Sequence, residues 1–195
     1  TYNITPDDRQ IIGNTNPKHT GGLNLSAVYK NLDISLFFNW VYGNDVYNAN
    51  KIQFTTQWKK DYYNMLSVMS SANRFRYMDD AGNKITDMEQ LRTLNENATI
   101  WSPAMKIPVL HSWAIEDGSF LRLNNITIGY TLPTKWTKRV LINRCRVYCT
   151  VNNVFVWTKY SGFDPEVSTC LSTPLTPGVD FSSYPKARTF TLGAN

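Results

Sequence analysis

The feature that most constrains this chain is an unbroken alternation from Leu32 to Tyr42. Leu32, Ile34, Leu36, Phe38, Trp40 and Tyr42 share one parity, and Asp33, Ser35, Phe37, Asn39 and Val41 the other. A period of two sends successive side chains to opposite faces, so the segment is a strand with one wholly apolar face. Ordinary strands run about 5–6 residues, whereas a tilted strand that crosses a bilayer needs about 9–11. This one has the second length. Its apolar face ends in Trp40 and Tyr42, as a strand with an interfacial end should.

Four more segments repeat the pattern. A tight turn at Lys30-Asn31 leads back to 20–30, where Leu23, Leu25, Ala27 and Tyr29 oppose Asn24 and Ser26. Over 118–132, Leu121 and Leu123 have one parity and Ile126, Ile128, Tyr130 and Leu132 the other. One inserted residue reverses facing, so the slip at Asn124-Asn125 predicts a β-bulge. In 144–157, Cys145, Val147, Cys149 and Val151 alternate with Arg144, Arg146, Tyr148, Thr150 and Asn152, and in 187–195 Phe190, Leu192 and Ala194 alternate with polar residues.

The expected architecture is all-β: an antiparallel transmembrane β-barrel segment of five long strands occupying 1–195. Its connections alternate in length. The turn at Lys30-Asn31 and the connector 134–143 are short, whereas 44–117 and 158–186 are long and rich in turn residues. Short periplasmic turns and longer extracellular loops are the outer-membrane pattern, which leaves the C-terminus periplasmic. A short helix is expected around Gln57–Met69. Five strands cannot close a barrel, and hydrocarbon does not tolerate an open sheet edge, so the chain needs the remainder of a larger barrel.

Composition agrees. Aromatic residues make up 13% and charged residues only 18%, against about 25–35% charge on a soluble surface. A soluble carbohydrate-binding β-sandwich has a similar composition and is the alternative reading. No run of Lys or Arg supports nucleic-acid binding, despite a net charge of +5. Catalysis, metal and cofactor find no carrier. His19 and His111 lack ligand spacing, Glu116-Asp117 point to opposite faces, and Asp7-Asp8 and Asp79-Asp80 lack a calcium-loop ladder. Cys145 and Cys149, on one strand, stand about 13 Å apart, too far for a disulfide. No leader is recognisable at Thr1-Tyr2-Asn3, so an exported protein's N-terminal portion is expected outside this sequence.

Several strings resemble a known family. They include Ile12-Gly13-Asn14-Thr15-Asn16-Pro17 with Thr20-Gly21-Gly22-Leu23-Asn24-Leu25, and Tyr42-Gly43-Asn44-Asp45-Val46-Tyr47-Asn48. The most specific is Ile115-Glu116-Asp117-Gly118-Ser119-Phe120-Leu121-Arg122-Leu123-Asn124-Asn125-Ile126-Thr127-Ile128-Gly129-Tyr130-Thr131-Leu132-Pro133. Thr158-Lys159-Tyr160-Ser161-Gly162-Phe163-Asp164-Pro165-Glu166-Val167 and Tyr184-Pro185-Lys186-Ala187-Arg188-Thr189-Phe190 follow in order. Together they are similar to the C-terminal barrel portion of SusC/RagA-family TonB-dependent transporters.

That resemblance implies a barrel of about 22 strands around a plug, in the outer membrane of a Bacteroidetes cell. It implies import of oligosaccharides or oligopeptides under a SusD-like lipoprotein lid. Energy would come from TonB-ExbB-ExbD through a plug and TonB box that lie outside this chain.

Candidate contacts divide by position. Tyr29, Trp40, Tyr42, Tyr130 and Trp136 sit at strand ends and read as interfacial anchors against outer-membrane lipid. Trp58, Tyr62, Trp101 and Trp113 lie in the long loop, where they either stack on ligand or partner or form a small core. Arg122, Arg146 and Tyr148, with Asn39, face the barrel interior, where they either line the transport path or, the favoured reading, are solvated wall or plug contacts.

Overall fold

A computed structural model of the chain describes residues 7, 9–57, 64–104, 110–166, 177–181 and 183–195. Contacts divide it into two compact units, residues 1–47 with 115–195, and residues 48–114.

The first unit is built on a five-stranded antiparallel sheet of β1 (His19–Tyr29), β2 (Leu32–Tyr42), β5 (Phe120–Thr131), β6 (Arg146–Thr158) and β8 (Thr189–Ala194), in that order. β1, β2, β5 and β6 run 11, 11, 12 and 13 residues, the length a tilted bilayer strand requires. The β1–β2 hairpin turns on Lys30, which takes the left-handed conformation (φ 55°). Register then carries each strand's apolar parity onto its neighbour's: Leu25 faces Leu36, Leu36 faces Ile126, Ile126 faces Val151, and Val151 faces Phe190. One face of the sheet is therefore apolar from edge to edge.

Two irregularities keep it so. β2 and β5 shift register at Asn124, the position where the parity slips. Between β5 and β6 the pairing passes from Leu123–Phe155 to Asn125–Asn152, leaving Asn153 and Val154 opposite Asn124. Asn153 takes φ 52°, a conformation asparagine tolerates better than most residues. An extra residue at each bulge lets the interior take successive polar side chains while the outer face stays apolar.

Where β2 ends, a small sheet begins: β4 (Ile115–Asp117), β3 (Asp45–Asn48) and β7 (Val179–Asp180), with β3 central. Its interior is Val46, with Phe120 and Tyr160 buried nearby in the same unit. Asn14 and Asp45 exchange backbone and side-chain hydrogen bonds at 2.7–2.8 Å, and a Cβ on Gly13 would press on Asp45 and Ile115. The glycine is there because two segments meet on its backbone.

The second unit, 48–114, has its own small core of Ile52, Met69, Ile100 and Ala114. It carries α1 (Ala49–Gln53) and α2 (Met88–Leu94), the latter started by the Asp87 side chain accepting from Gln90 N at 2.9 Å. Asn95 ties the chain together, accepting from Arg76 N and donating to the Arg76 and Leu91 carbonyls. The helix expected around Gln57–Met69 falls partly outside the described residues. Within them, only Ser67–Met69 forms a single 3-10 turn.

Candidate functional site

The site is the two-faced wall. Its apolar side is exposed: Leu23, Leu25, Leu121, Ile128, Phe155, Phe190 and Leu192 all lie bare on it. A soluble protein rarely leaves so wide a contiguous apolar surface uncovered. A β-sandwich would bury it beneath a second sheet, and these exposures show no such cover over the residues named. A bilayer is the medium that fits.

The opposite face is polar and cross-linked. Arg146 donates from Nε and Nη2 to both oxygens of Asp33, two strands away, at 2.9 and 2.5 Å. The guanidinium passes over Gly129, which pairs with Asp33 on one side and Tyr148 on the other; a Cβ there would collide with it. Tyr148 in turn lays its ring over its register partner Gly193. Thr127 and Thr150 join hydroxyls at 2.9 Å, and Asn124 donates to Asn39 at 2.8 Å.

Higher on the same face sits a buried ionic node. Arg122 is only 1% exposed. It donates to Asp164 Oδ1 at 2.5 Å and to Asn153 Oδ1 at 2.6 Å. Its Nε lies 3.2 Å from Glu166 Oε2, off the line of a hydrogen bond, and Lys186 reaches the same carboxylate at 2.6 Å. A charge removed from water is tolerable only when paired in this way. The node pins both ends of the segment 158–186 to the wall.

Hydrogen bonds also lock the small sheet. Glu116 accepts from Ser161 N and Oγ, both at 2.8 Å. Hydrogen bonds from the Ser119 hydroxyl and backbone hold the Asp117 carboxyl below its ordinary range. Tyr160 donates to Asp180 at 2.6 Å, and burial, then this bond, push its phenol upward. Glu116-Asp117, Ser161 and Asp164 are thus joints of the framework rather than a reactive pair.

In the second unit, Trp101 packs edge-on against Trp113 and His111, with ring centroids 5.3 Å apart in each case. Lys51 lies over Trp113 at 4.1 Å and donates to its carbonyl. Phe75, Tyr77, Ile100, Trp101, His111 and Trp113 line an open cavity of about 500 Å³. Trp101 and Trp113 are therefore brought together. Trp58 and Tyr62 lie outside the described residues. Phe75, Tyr77 and His111 were missed in the sequence because nothing periodic links them. Among the described residues no group of acids, histidines and cysteines could hold a metal.

Long antiparallel strands, a bare apolar face and a cross-linked polar face define a wall segment of a transmembrane β-barrel. No protein-family model matches the chain. It is 31% identical, over 98% of its length, to TonB-dependent receptor P3 of Formosa agariphila, covering 17% of that protein. It is 32% identical over 65% of its length to TonB-dependent receptor SusC of Bacteroides thetaiotaomicron, covering 13% of it. Among solved structures, the RagAB peptide transporter matches the whole chain at TM-score 0.71 and 23% identity, over 19% of that chain. The RagAB peptide importer in its open-open state matches at TM-score 0.65 and 26% identity, also over the whole chain and 19% of its own.

The chain belongs to the SusC/RagA family of TonB-dependent receptors, which are outer-membrane proteins. It spans less than a fifth of the length of these relatives, whose names are those of receptors and transporters rather than enzymes.

Proposed function

We propose that the chain forms part of the wall, and one large surface insert, of an outer-membrane importer of oligosaccharides or oligopeptides. The observation that carries this reading is the sheet's division into an exposed apolar face and a hydrogen-bonded polar face. The first meets lipid and the second lines the solute path, where Arg122, Arg146 and Tyr148 act first as braces. Residues 43–119 and 159–188 both leave the same end of the sheet. Long connections mark the extracellular side, so β8 runs toward the periplasm.

The family supplies the rest of the reading. A SusD-like lipoprotein covers the extracellular mouth, and TonB-ExbB-ExbD acts through a plug outside this segment. Trp101 and Trp113, with the aromatic cavity around them, are the insert's candidates for contact with ligand or lid. The RagAB neighbour at 26% identity is a peptide importer, which is the ground for naming peptide beside glycan as cargo.

The test uses the full-length receptor with native cysteines replaced. A membrane-impermeant maleimide applied after outer-membrane permeabilisation should label Ser35→Cys and spare Leu36→Cys, whose thiol stays protonated in hydrocarbon, and denaturation in detergent should make both react. Equal labelling of both from water would overturn the wall assignment.

A further inference from the structure

The outer face carries a feature that an interfacial girdle does not require. At the end of the wall from which the long connections leave, a trough of about 540 Å³ opens on the apolar side. Register explains its shape. Gly21, Trp40, Leu121 and Trp157 form one row across four adjacent strands. Leu121 is the floor, and the two indoles stand on either side of it.

Both walls are propped. Trp40 rests over Gly21, where a Cβ would strike the ring, and its Nε1 donates to His19 Nδ1 at 3.2 Å. Trp157 packs edge-on against Phe155 at 4.8 Å. Neither indole need reorganise to accept a slender apolar chain.

The next row toward the loops is polar. His19 pairs with Tyr42, and one residue beyond the Phe120–Thr158 pair come Ser119 and Lys159, all lining the trough. Lys159 is the cation of this rim among the described residues. Asp117, on the same lip, is engaged by the Ser119 backbone N–H at 2.9 Å and lies within coulombic reach of Lys159.

We propose that the trough is a site for one lipid of the outer leaflet. An acyl chain lies over Leu121 between the indoles, and a phosphate-bearing headgroup sits at Lys159. The occupant follows from continuity with the lipid-facing surface and from a cation placed where that surface meets water. The inference rests on the wall reading above.

The experiment reconstitutes the full-length receptor into phosphatidylcholine vesicles doped with either dibrominated phosphatidylglycerol or dibrominated phosphatidylcholine. Emission from the two indoles is isolated as the difference between wild type and Trp40→Phe/Trp157→Phe. Brominated phosphatidylglycerol should quench at a mole fraction up to about fivefold lower, the gain one lysine supplies beside an anionic lipid. Lys159→Gln should bring the two curves together, and Leu121→Phe, which fills the floor, should weaken quenching by both. Coincident curves in wild type would mean ordinary annular lipid and overturn the site. Absence of quenching by either lipid would instead overturn the wall reading itself.

Discussion

The five-stranded sheet and the insert at 48–114 are stabilised in different currencies. In the sheet, every strand repeats one instruction, apolar outward and polar inward, and register propagates it. Failure at one position is felt across strands, because Arg146 reaches Asp33 over Gly129 and Arg122 gathers Asn153, Asp164 and Glu166. The insert has no such repetition. It holds by local devices: the Asp87 cap, the Asn95 tie and a few buried apolar side chains. Damage to the wall should therefore spread, and damage to the insert should stay local.

Replacing Arg122 by Leu should show the contrast most strongly. It strands Asp164 without its partner in a buried site, at a cost of about 3–5 kcal/mol. The folded, heat-modifiable form of the full-length receptor should be lost at markedly lower temperature. An unchanged transition would show that the node is not a keystone of the wall.

Gly129→Val drives a side chain into the Arg146 guanidinium and should cost about 1–3 kcal/mol. Combining it with Arg146→Ala should recover part of that loss. A simple sum of the two effects would break the claim that the glycine serves the arginine.

Tyr160→Phe removes the donor to buried Asp180 and should cost about 1–3 kcal/mol. Its pH signature is distinctive. The folded phenol is held above its usual value near 10, so its contribution is complete below pH 10 and fades as pH climbs beyond it. Melting temperatures of wild type and Tyr160→Phe should therefore converge above pH 10. A constant gap would count against the buried bond.

Asp87→Ala should have the smallest effect, about 1 kcal/mol confined to the start of α2. Limited proteolysis should find new cleavage near 84–94 while the barrel transition stays put. A shift in that transition would mean that the insert and the wall share more than connectivity.

These differences track what could be read from the chain. The wall was legible because burial with period two leaves its mark on every residue, and the bulge at Asn124 showed itself by reversing parity. The break at Asn153 did not. With two residues unpaired there, Val151 and Phe155 keep the same parity, so alternation runs through it unmarked. β3, β4 and β7 are only four, three and two residues long, too short for a period to emerge. Arg122, Arg146 and Tyr148 could be assigned to the polar face, but not to their tasks. Arg122 meets Asp164 across 42 positions of sequence that include the connector 134–143 and all of β6. The insert's aromatics offered composition without order, and Phe75, Tyr77 and His111 became visible only as lining of one cavity.

The bulge at Asn124 bears finally on how such a wall can change over generations. Below it outward residues are even-numbered, as in Ile126 and Ile128; above it they are odd-numbered, as in Leu121 and Leu123. Losing this one codon would merge both halves into one unbroken alternation, whereas losing a codon elsewhere in the strand would turn one part inside out, presenting Arg122 to lipid or Ile128 to the channel. Length variation in β5 is thus open singly at the bulge, and elsewhere only to paired events that restore the frame. Loops beyond the rim carry no such frame, and diversification of the receptor is channelled into them.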